Sequence, residues 1–183
     1  MKKVISAFLF TVLFVLGVQA QKAQTIKLKA KQSTVKVEQV NDDGFLMKAS
    51  LATLQLKPVQ QKEGLFYRLE AAGLIKTYNE GMPDIPVISK LIEVPLDADV
   101  QFEVVSYKEQ IINLSDYGIN NKIMPAQRSL SKKESPQKLS FKEEIYNTND
   151  FLFKEVAKYY NSGIMRNVRM GRVEIHPIQY NPV

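Results

Sequence analysis

The sequence predicts a mostly β fold, an antiparallel β-sandwich or barrel-like single domain with one short helix and a long basic loop. Two observations lead to this prediction. Apolar and polar residues alternate with period two through much of the first half of the chain, which is typical of half-buried strands. Glycine, proline, asparagine and aspartate recur between these short runs at about 8–12-residue spacing, as in antiparallel sheets.

The first twenty residues are predicted to be a secretory signal peptide, followed by a domain spanning residues 21–183. Lys2 and Lys3 precede an apolar run at 4–18, and Ala20 completes a small-x-Ala-like cleavage site. The run of 15 residues is shorter than the roughly 20 that a membrane-spanning helix needs. We therefore expect a bacterial exported protein in the periplasm, at the cell surface or outside the cell, without membrane contact after cleavage.

The first strands follow directly from the alternation. Residues 25–31 and 33–40 alternate apolar with polar side chains, and the Asp-Gly pair at 43–44 signals a tight turn. Residues 45–59 supply further short strands, which Pro58 places at a sheet edge or strand end because proline cannot donate to a ladder. Three leucines are the expected inward residues of this stretch: Leu51, Leu54 and Leu56.

A stiff bend separates the next strands. After a turn at 63–64 and a strand at 65–71, Gly81, Pro83 and Pro86 exclude helix, since each proline fixes its own φ and extends the residue before it. Residues 87–94 and 99–107 are rich in valine and isoleucine and predict two strands joined by a loop at 95–98.

The second half begins differently. Residues 118–142 lose the alternation and gather prolines, serines and basic residues, which predicts a long exposed loop. Thr148 or Asn149 is the expected N-cap, and Gly163 the expected stop, of a helix of two to three turns. Residues 172–180 return to a strand pattern.

Composition excludes several kinds of site. Without cysteine the chain has no disulfide, thiol nucleophile or thiolate metal site, so packing and hydrogen bonds must stabilise it. One histidine, His176, lies in a strand pattern with no serine elbow nearby, and a single imidazole cannot supply a zinc site. The formal charge of +6, or +4 without Lys2 and Lys3, is dispersed and predicts no nucleic-acid surface.

The residues by themselves thus indicate an exported, disulfide-free, mostly β binding or interaction module. They point to no catalytic group, metal or cofactor. Two short segments allow a more specific hypothesis.

The segments EGMPDIPVISKLIEVP and VEIHPIQYNPV resemble the N-terminal propeptide of the gingipain family of bacterial cysteine peptidases. That family has a Gly-x-Pro-x-x-Pro bend leading into a strand and, further on, a strand reading Pro-[Leu/Ile]-Gln-Tyr-Asn-Pro-Val. The similarity extends from about Phe45 to the last residue. The matching positions are Gly81, Pro83 and Pro86 in the bend, and Pro177, Gln179, Tyr180, Asn181 and Pro182 in the second motif.

The resemblance implies a β-sandwich-like domain that assists folding of a peptidase and keeps it latent. Such a propeptide lays a basic side chain from an exposed loop against an active-site cleft that accepts Arg or Lys. The corresponding stretch here is PAQRSLSKKESP, in which Lys132 takes the position of that basic residue, with Lys133 and Arg128 as competitors. The implied partner is the catalytic domain of a gingipain-like cysteine peptidase, met in trans or encoded in a separated reading frame.

The family pattern continues past Pro182 with another strand and then the peptidase domain. We therefore expect a prodomain truncated at its C-terminal hairpin, which is not an enzyme itself. Two alternatives remain open at this point. One is a β-sandwich adhesion or carbohydrate-binding module, although the chain has no tryptophan for sugar stacking. The other is a non-functional remnant of a split peptidase precursor.

Overall fold

The fold is described by a computed structural model that covers residues 22–41, 44–77, 79–129 and 138–183. The predicted signal peptide, the residues of the turn at 42–43, and Lys132 and Lys133 lie outside these residues. Antiparallel strands dominate, so the predicted mostly β class is confirmed. The elements are β1 (Gln24–Lys27), β2 (Thr34–Asn41), β3 (Gly44–Ser50), β4 (Thr53–Gln61), β5 (Gly64–Glu70), β6 (Ile88–Val94), a 3-10 turn (Leu114–Tyr117), α1 (Glu143–Tyr146), β7 (Ala157–Met165) and β8 (Val168–Ile175).

The strands form three antiparallel sheets. The first has the order β1-β4-β5, the second is the β2-β3 hairpin, and the third has the order β6-β8-β7. None of these sheets closes into a barrel within the described parts of the chain. In the same parts, no helix has the length and apolar character needed to cross a membrane.

The core lies on one face of the β1-β4-β5 sheet. The alternation in β4 correctly predicts Leu54 and Leu56 as buried, whereas Leu51 is half-buried at the edge of the cluster. The remaining core comes from outside this sheet, because Ile85, Ile119 and Ile123 pack onto it from the bend and from the segment after the 3-10 turn. The apolar members of the cluster are Ile26, Leu54, Leu56, Tyr67, Leu69, Ile85, Ile119 and Ile123.

Proline is tolerated in β4 for a local reason. β4 is the central strand of its sheet, so the prediction of an edge strand is wrong for the strand as a whole. However, β1 pairs with β4 only as far as Leu56, so no described strand lies on that side of Pro58. On the β5 side Pro58 faces Tyr67, whose N–H and carbonyl hydrogen-bond to Lys122 and Met124 and not to β4. Pro58 therefore removes no ladder hydrogen bond.

The predicted exposed loop at 118–142 is wrong in its first part. Residues 123–126 are buried, and Ile123 bridges to Tyr67 of β5 while Pro125 bridges to Pro83 of the bend. The sequence Ile-Met-Pro-Ala is apolar enough to occupy the interior, and its lack of alternation reflects burial rather than exposure.

The strand predicted at 99–107 is also wrong. Residues 101–110 are all exposed and form no ladder with any described strand, and Val105 and Ile111 are 68% and 83% exposed. Alternation favours an extended backbone, but a strand also requires a neighbour with free donors and acceptors. No neighbouring strand is present here among the described residues.

The predicted helix at 149–162 is wrong. Its second half is β7, which pairs along β8, and Gly163 lies at a bulge with φ of 94° rather than at a helix end. The two adjacent tyrosines in β7 favour a sheet once β8 offers a partner, so tertiary pairing overrides a helical local pattern. The α-helical turn found among the described residues, α1, lies earlier in the chain.

The last predicted strand is shorter than expected. β8 ends at Ile175, one residue before His176, whose N–H donates to the carbonyl of Val156 at 2.8 Å. Pro177 has no N–H to continue the ladder, so the chain leaves the sheet here.

Substitution of Gly171 tests the packing of the β6-β8-β7 sheet. A Cβ at Gly171 would lie 2.5 Å from Cε2 of Tyr159, which covers this position from β7. We expect Gly171→Ala to lower the free energy of unfolding by about 1–3 kcal/mol in urea denaturation. Gly44→Ala is the control, since its Cβ would meet only the Asn41 side chain at 3.4 Å. Equal stability of the two variants would contradict this account.

Candidate functional site: the neck of the basic loop

The Gly-x-Pro-x-x-Pro bend is part of the interior. Gly81 has φ of 79°, a conformation that glycine adopts without strain, and both Pro83 and Pro86 are buried. A Cβ at Gly81 would also come within 3.0 Å of the Lys142 side chain. This position therefore requires glycine on both conformational and steric grounds.

The bend holds the segment that leads into the basic loop. The N–H of Asp84 donates to the carbonyl of Met124 at 2.9 Å, and the N–H of Ala126 donates to the carbonyl of Met82 at 2.8 Å. On its other side, Met124 donates to the carbonyl of Tyr67 at 2.7 Å. Residues 122–126 thus lie between β5 and the bend and extend the first sheet.

Two tyrosine hydroxyls complete the hydrogen bonding of this segment. Tyr146 of α1 donates to the carbonyl of Ile123 at 2.7 Å, and the Ile123 N–H donates to the hydroxyl of Tyr180 at 3.5 Å. Burial raises the pKa of both tyrosine hydroxyls, so both remain protonated in neutral solution. The tyrosine of the Gln-Tyr-Asn-Pro motif therefore bonds directly to the segment that precedes the loop.

A glutamine closes the base of the loop. The Gln127 amide donates through Nε2 to the carbonyl of Ser140 at 2.9 Å, and its Oε1 accepts from the Ser140 N–H at 2.9 Å. Gly81 joins the same two chain stretches, donating to the carbonyl of Ala126 at 2.8 Å and accepting from the Lys142 N–H at 3.0 Å. We call these five residues the neck: Gly81, Ala126, Gln127, Ser140 and Lys142.

The family comparison agrees with this geometry. The family model Propeptide_C25 matches residues 24–183.

The chain belongs to the Propeptide_C25 family.

The resemblance to gingipain propeptides is thereby confirmed. Lys-gingipain of Porphyromonas gingivalis is 33% identical over 165 residues, which cover 88% of this chain and 10% of that protein. Gingipain R2 of the same organism is 29% identical over 157 residues, covering 85% of this chain and 19% of that protein. The chain thus spans only a small part of the length of these relatives.

Solved structures show the same fold. A chain from a study of the zymogenic latency of gingipain K of Porphyromonas gingivalis superposes with a TM-score of 0.81 at 30% identity, covering 88% of this chain and 89% of that one. A chain from the complex of the pro- and mature domains of Porphyromonas gingivalis RgpB gives 0.65 at 24% identity, covering 81% and 75%. The second comparison shows the shared fold alone.

The three candidate basic residues of this Propeptide_C25 chain occupy different places. Arg128 is exposed and directly follows Gln127, so it lies at the base of the loop. Lys132 and Lys133 lie outside the described residues, and their role stays a prediction. Lys138, close to the other end of the loop, is exposed.

The remaining motif residues anchor the end of the propeptide-family chain. Gln179 donates to the carbonyl of Lys154 at 3.1 Å, and Asn181 donates to the Asn149 side chain at 2.8 Å. Asn149 therefore contributes to this anchor and not to a helix cap. Pro177 and Pro182 flank these contacts and are half-buried.

His176 has the surroundings of a structural residue. Its Nε2 lies 3.1 Å from Oε1 of Glu174, and its ring stacks on Phe153 with centroids 5.5 Å apart. His176, Glu174 and Phe153 line a cavity of about 340 Å³. The other described residues around this cavity include lysines and a glutamate but neither serine nor threonine. No group of three or more potential metal ligands exists among the described residues.

Reasoning from the sequence missed Gln127, Ser140 and Tyr146. No local pattern marks a glutamine or serine that bonds across 13 positions, or a tyrosine that reaches 23 positions back. Phe141 gives a partial signal in hindsight, because an aromatic residue at the end of a polar loop often marks return to the core. Its ring stacks on Tyr146 at 4.3 Å and contacts Phe66 at 6.3 Å.

Removing one hydroxyl tests how much the segment depends on Tyr146. Tyr146→Phe leaves the buried carbonyl of Ile123 without its donor, and we expect a loss of about 1–2 kcal/mol in the free energy of unfolding. Tyr107→Phe, at a 59% exposed position, should change it by less than about 0.5 kcal/mol. Chemical denaturation of both variants measures the difference, and a Tyr146→Phe protein as stable as wild type would contradict the assignment.

Asp84 provides a test by pH. Burial raises the pKa of its carboxyl above 3.8, against the opposing charges of Lys76 and Arg68, and its Oδ1 has no hydrogen-bond partner. The folded state then holds this proton more tightly than the unfolded state, so stability falls as pH rises through the folded pKa. Asp84→Asn lacks this loss, and its stability relative to wild type should increase from about pH 4 upward.

The measurement is urea denaturation between about pH 3 and pH 7, with Asp97→Asn at an exposed turn as control. Parallel pH curves for Asp84→Asn and wild type would show that the burial of this carboxyl does not affect stability.

Proposed function

We propose that this chain is an exported propeptide that inhibits a gingipain-like cysteine endopeptidase and assists its folding, without catalysis of its own. The carrying observation is the TM-score of 0.81 with the gingipain K chain from a study of zymogenic latency. Membership of the Propeptide_C25 family supports the same role. The signal-like residues 1–20 support export.

The inhibitory contact is proposed to be a basic side chain of the loop between Gln127 and Ser140. Relatives of this chain are named Lys-gingipain and gingipain R. A cleft that receives a lysine or arginine of a substrate offers the same charge-assisted contacts to a cation on an inhibitor loop.

The position of the neck favours Lys132 or Lys133 over Arg128. An extended chain covers at most about 3.3–3.6 Å per residue, so Arg128, one position from Gln127, stays within about 4 Å of the neck along the backbone. Lys132 and Lys133 are five and six positions away, which permits a backbone reach of about 17–20 Å. A recessed cleft is better served by the longer reach.

The absence of catalysis is supported by chemistry. The 183 residues contain no cysteine, so the thiol of a cysteine peptidase would have to come from another domain. His176, the one histidine, pairs with Glu174 and has no serine or threonine beside it in the cavity.

The test mixes the purified chain with mature Lys-gingipain of Porphyromonas gingivalis and follows hydrolysis of a lysyl substrate. We expect slow or tight inhibition at micromolar protein or below, and gingipain R2 with an arginyl substrate serves as the comparison. Full activity of both peptidases at micromolar chain would overturn the inhibitory role.

Replacing the proposed cleft residue should weaken inhibition. Loss of one partner of a buried charge pair typically costs 2–5 kcal/mol, so Lys132→Ala should raise the inhibition constant by roughly 30-fold or more. Lys138→Ala removes a charge from the same loop at an exposed position and should leave the constant within about twofold. An unchanged constant for Lys132→Ala would move the role to Lys133 or Arg128, which single Ala variants then separate.

A further inference from the structure

The side chain of Gln127 hydrogen-bonds to backbone groups at both ends of the loop. Besides its two bonds with Ser140, Nε2 lies 3.1 Å from the carbonyls of Pro125 and Ala126. Its amide thus takes the place of a peptide unit and joins the start of the loop to its end, although the side chain itself is exposed.

Both ends of the loop are anchored behind this amide. On the leading side, residues 122–126 are fixed between Tyr67 and the bend. On the returning side, Lys142 donates to Gly81, and Phe141 packs on Tyr146. Lys122 also lies over the rings of Phe141 and Tyr146, 5.6 and 5.4 Å from their centroids, so the two stems contact each other directly. Hydrogen bonds and ring contacts therefore hold both stems in place as far as Gln127 and Ser140.

We propose that Gln127 is a positioning residue for inhibition: its amide fixes the neck and so holds the loop ready to enter the peptidase cleft. The inference rests on the proposed function and adds to it a residue that does not itself touch the peptidase. Ordering a residue on binding costs conformational entropy. A closed neck meets part of that cost before binding, which raises affinity and makes the loop a poorer substrate.

Two substitutions separate the amide from the bulk of the side chain. Gln127→Ala removes both partners of Ser140, whereas Gln127→Glu keeps the shape but loses the N–H donor and places a carboxylate beside three carbonyls. Gln60→Ala is the matched control, since it removes the bond from a glutamine amide to the backbone carbonyl of Gln61 in β4. All three are compared with wild type by thermal unfolding to establish that they fold.

The first measurement is the inhibition constant against mature Lys-gingipain, together with the rate at which that peptidase cuts the loop. We expect both Gln127 variants to raise the inhibition constant by about tenfold or more and to speed loop cleavage, while Gln60→Ala changes neither. If wild type inhibits and both Gln127 variants inhibit equally well, the positioning role is overturned and the proposed function stands. If wild type does not inhibit at all, the proposed function itself falls, and the positioning role with it.

The second measurement uses trypsin, which reads the order of the loop independently of any cognate cleft. Without the bonds to Ser140 the two ends of the loop can separate, so both Gln127 variants should be cut by trypsin between 128 and 138 several times faster than wild type or Gln60→Ala. A raised inhibition constant with an unchanged trypsin rate would overturn positioning and make Gln127 a direct contact with the peptidase. Faster trypsin cleavage together with weaker inhibition is the result that supports the proposal.

Discussion

The backbone N–H and carbonyl of the buried Ile123 both need hydrogen-bond partners, and the rest of the structure depends on this requirement. Ile123 is 1% exposed, and buried backbone donors and acceptors must be satisfied. Its carbonyl accepts from Tyr146 and its N–H donates to Tyr180, so residues 23 and 57 positions further along the chain complete the bonding of one interior segment. The segment can be buried only when both tyrosines have folded back onto it. This requirement joins α1 and the Gln-Tyr-Asn-Pro motif to the first sheet.

The same constraint explains how the family motifs are related. The bend with Gly81 and Pro83 bonds to one side of residues 122–126, and the motif with Tyr180 bonds to the segment from the C-terminal end of the chain. Far apart in sequence, the two motifs meet at the stretch that leads into the basic loop. The two motifs thus hold the start of the loop in place, and the basic side chains lie in the loop itself. Contacts that hold the base of a loop in place reduce the entropy that the loop loses when it binds a partner.

A turn signal bounds β5 and valine and isoleucine predict β6, whereas alternation alone is sufficient to predict β1 to β4 and the inward side of β4. Alternation fails where the outcome depends on distant partners. Residues 99–107 alternate well but have no neighbouring strand in the described structure, whereas the helix-like pattern before Gly163 becomes β7 because β8 lies beside it. The sequence predicts an exposed loop around Ile123, because periodicity cannot reveal that this apolar run packs between Tyr67 and Pro83.

The loop between Gln127 and Ser140 illustrates why an inhibitor is harder to recognise from its structure than an enzyme is. A catalytic site concentrates buried titratable groups in a cavity, and the surroundings of His176 and Glu174 have that appearance, with the imidazole 3.1 Å from the carboxylate and about 340 Å³ of space. No serine or threonine is among the described residues that line that cavity, and the sequence contains no cysteine. A loop that acts as an inhibitor needs no such cavity, and a run of basic residues in a sequence looks like any other charged segment. In this chain the two ends of the proposed inhibitory loop are joined at its base, because the side-chain amide of Gln127 hydrogen-bonds to both the N–H and the carbonyl of Ser140. In the proposed function, this neck lets the basic loop act on the peptidase as an inhibitor rather than as a substrate.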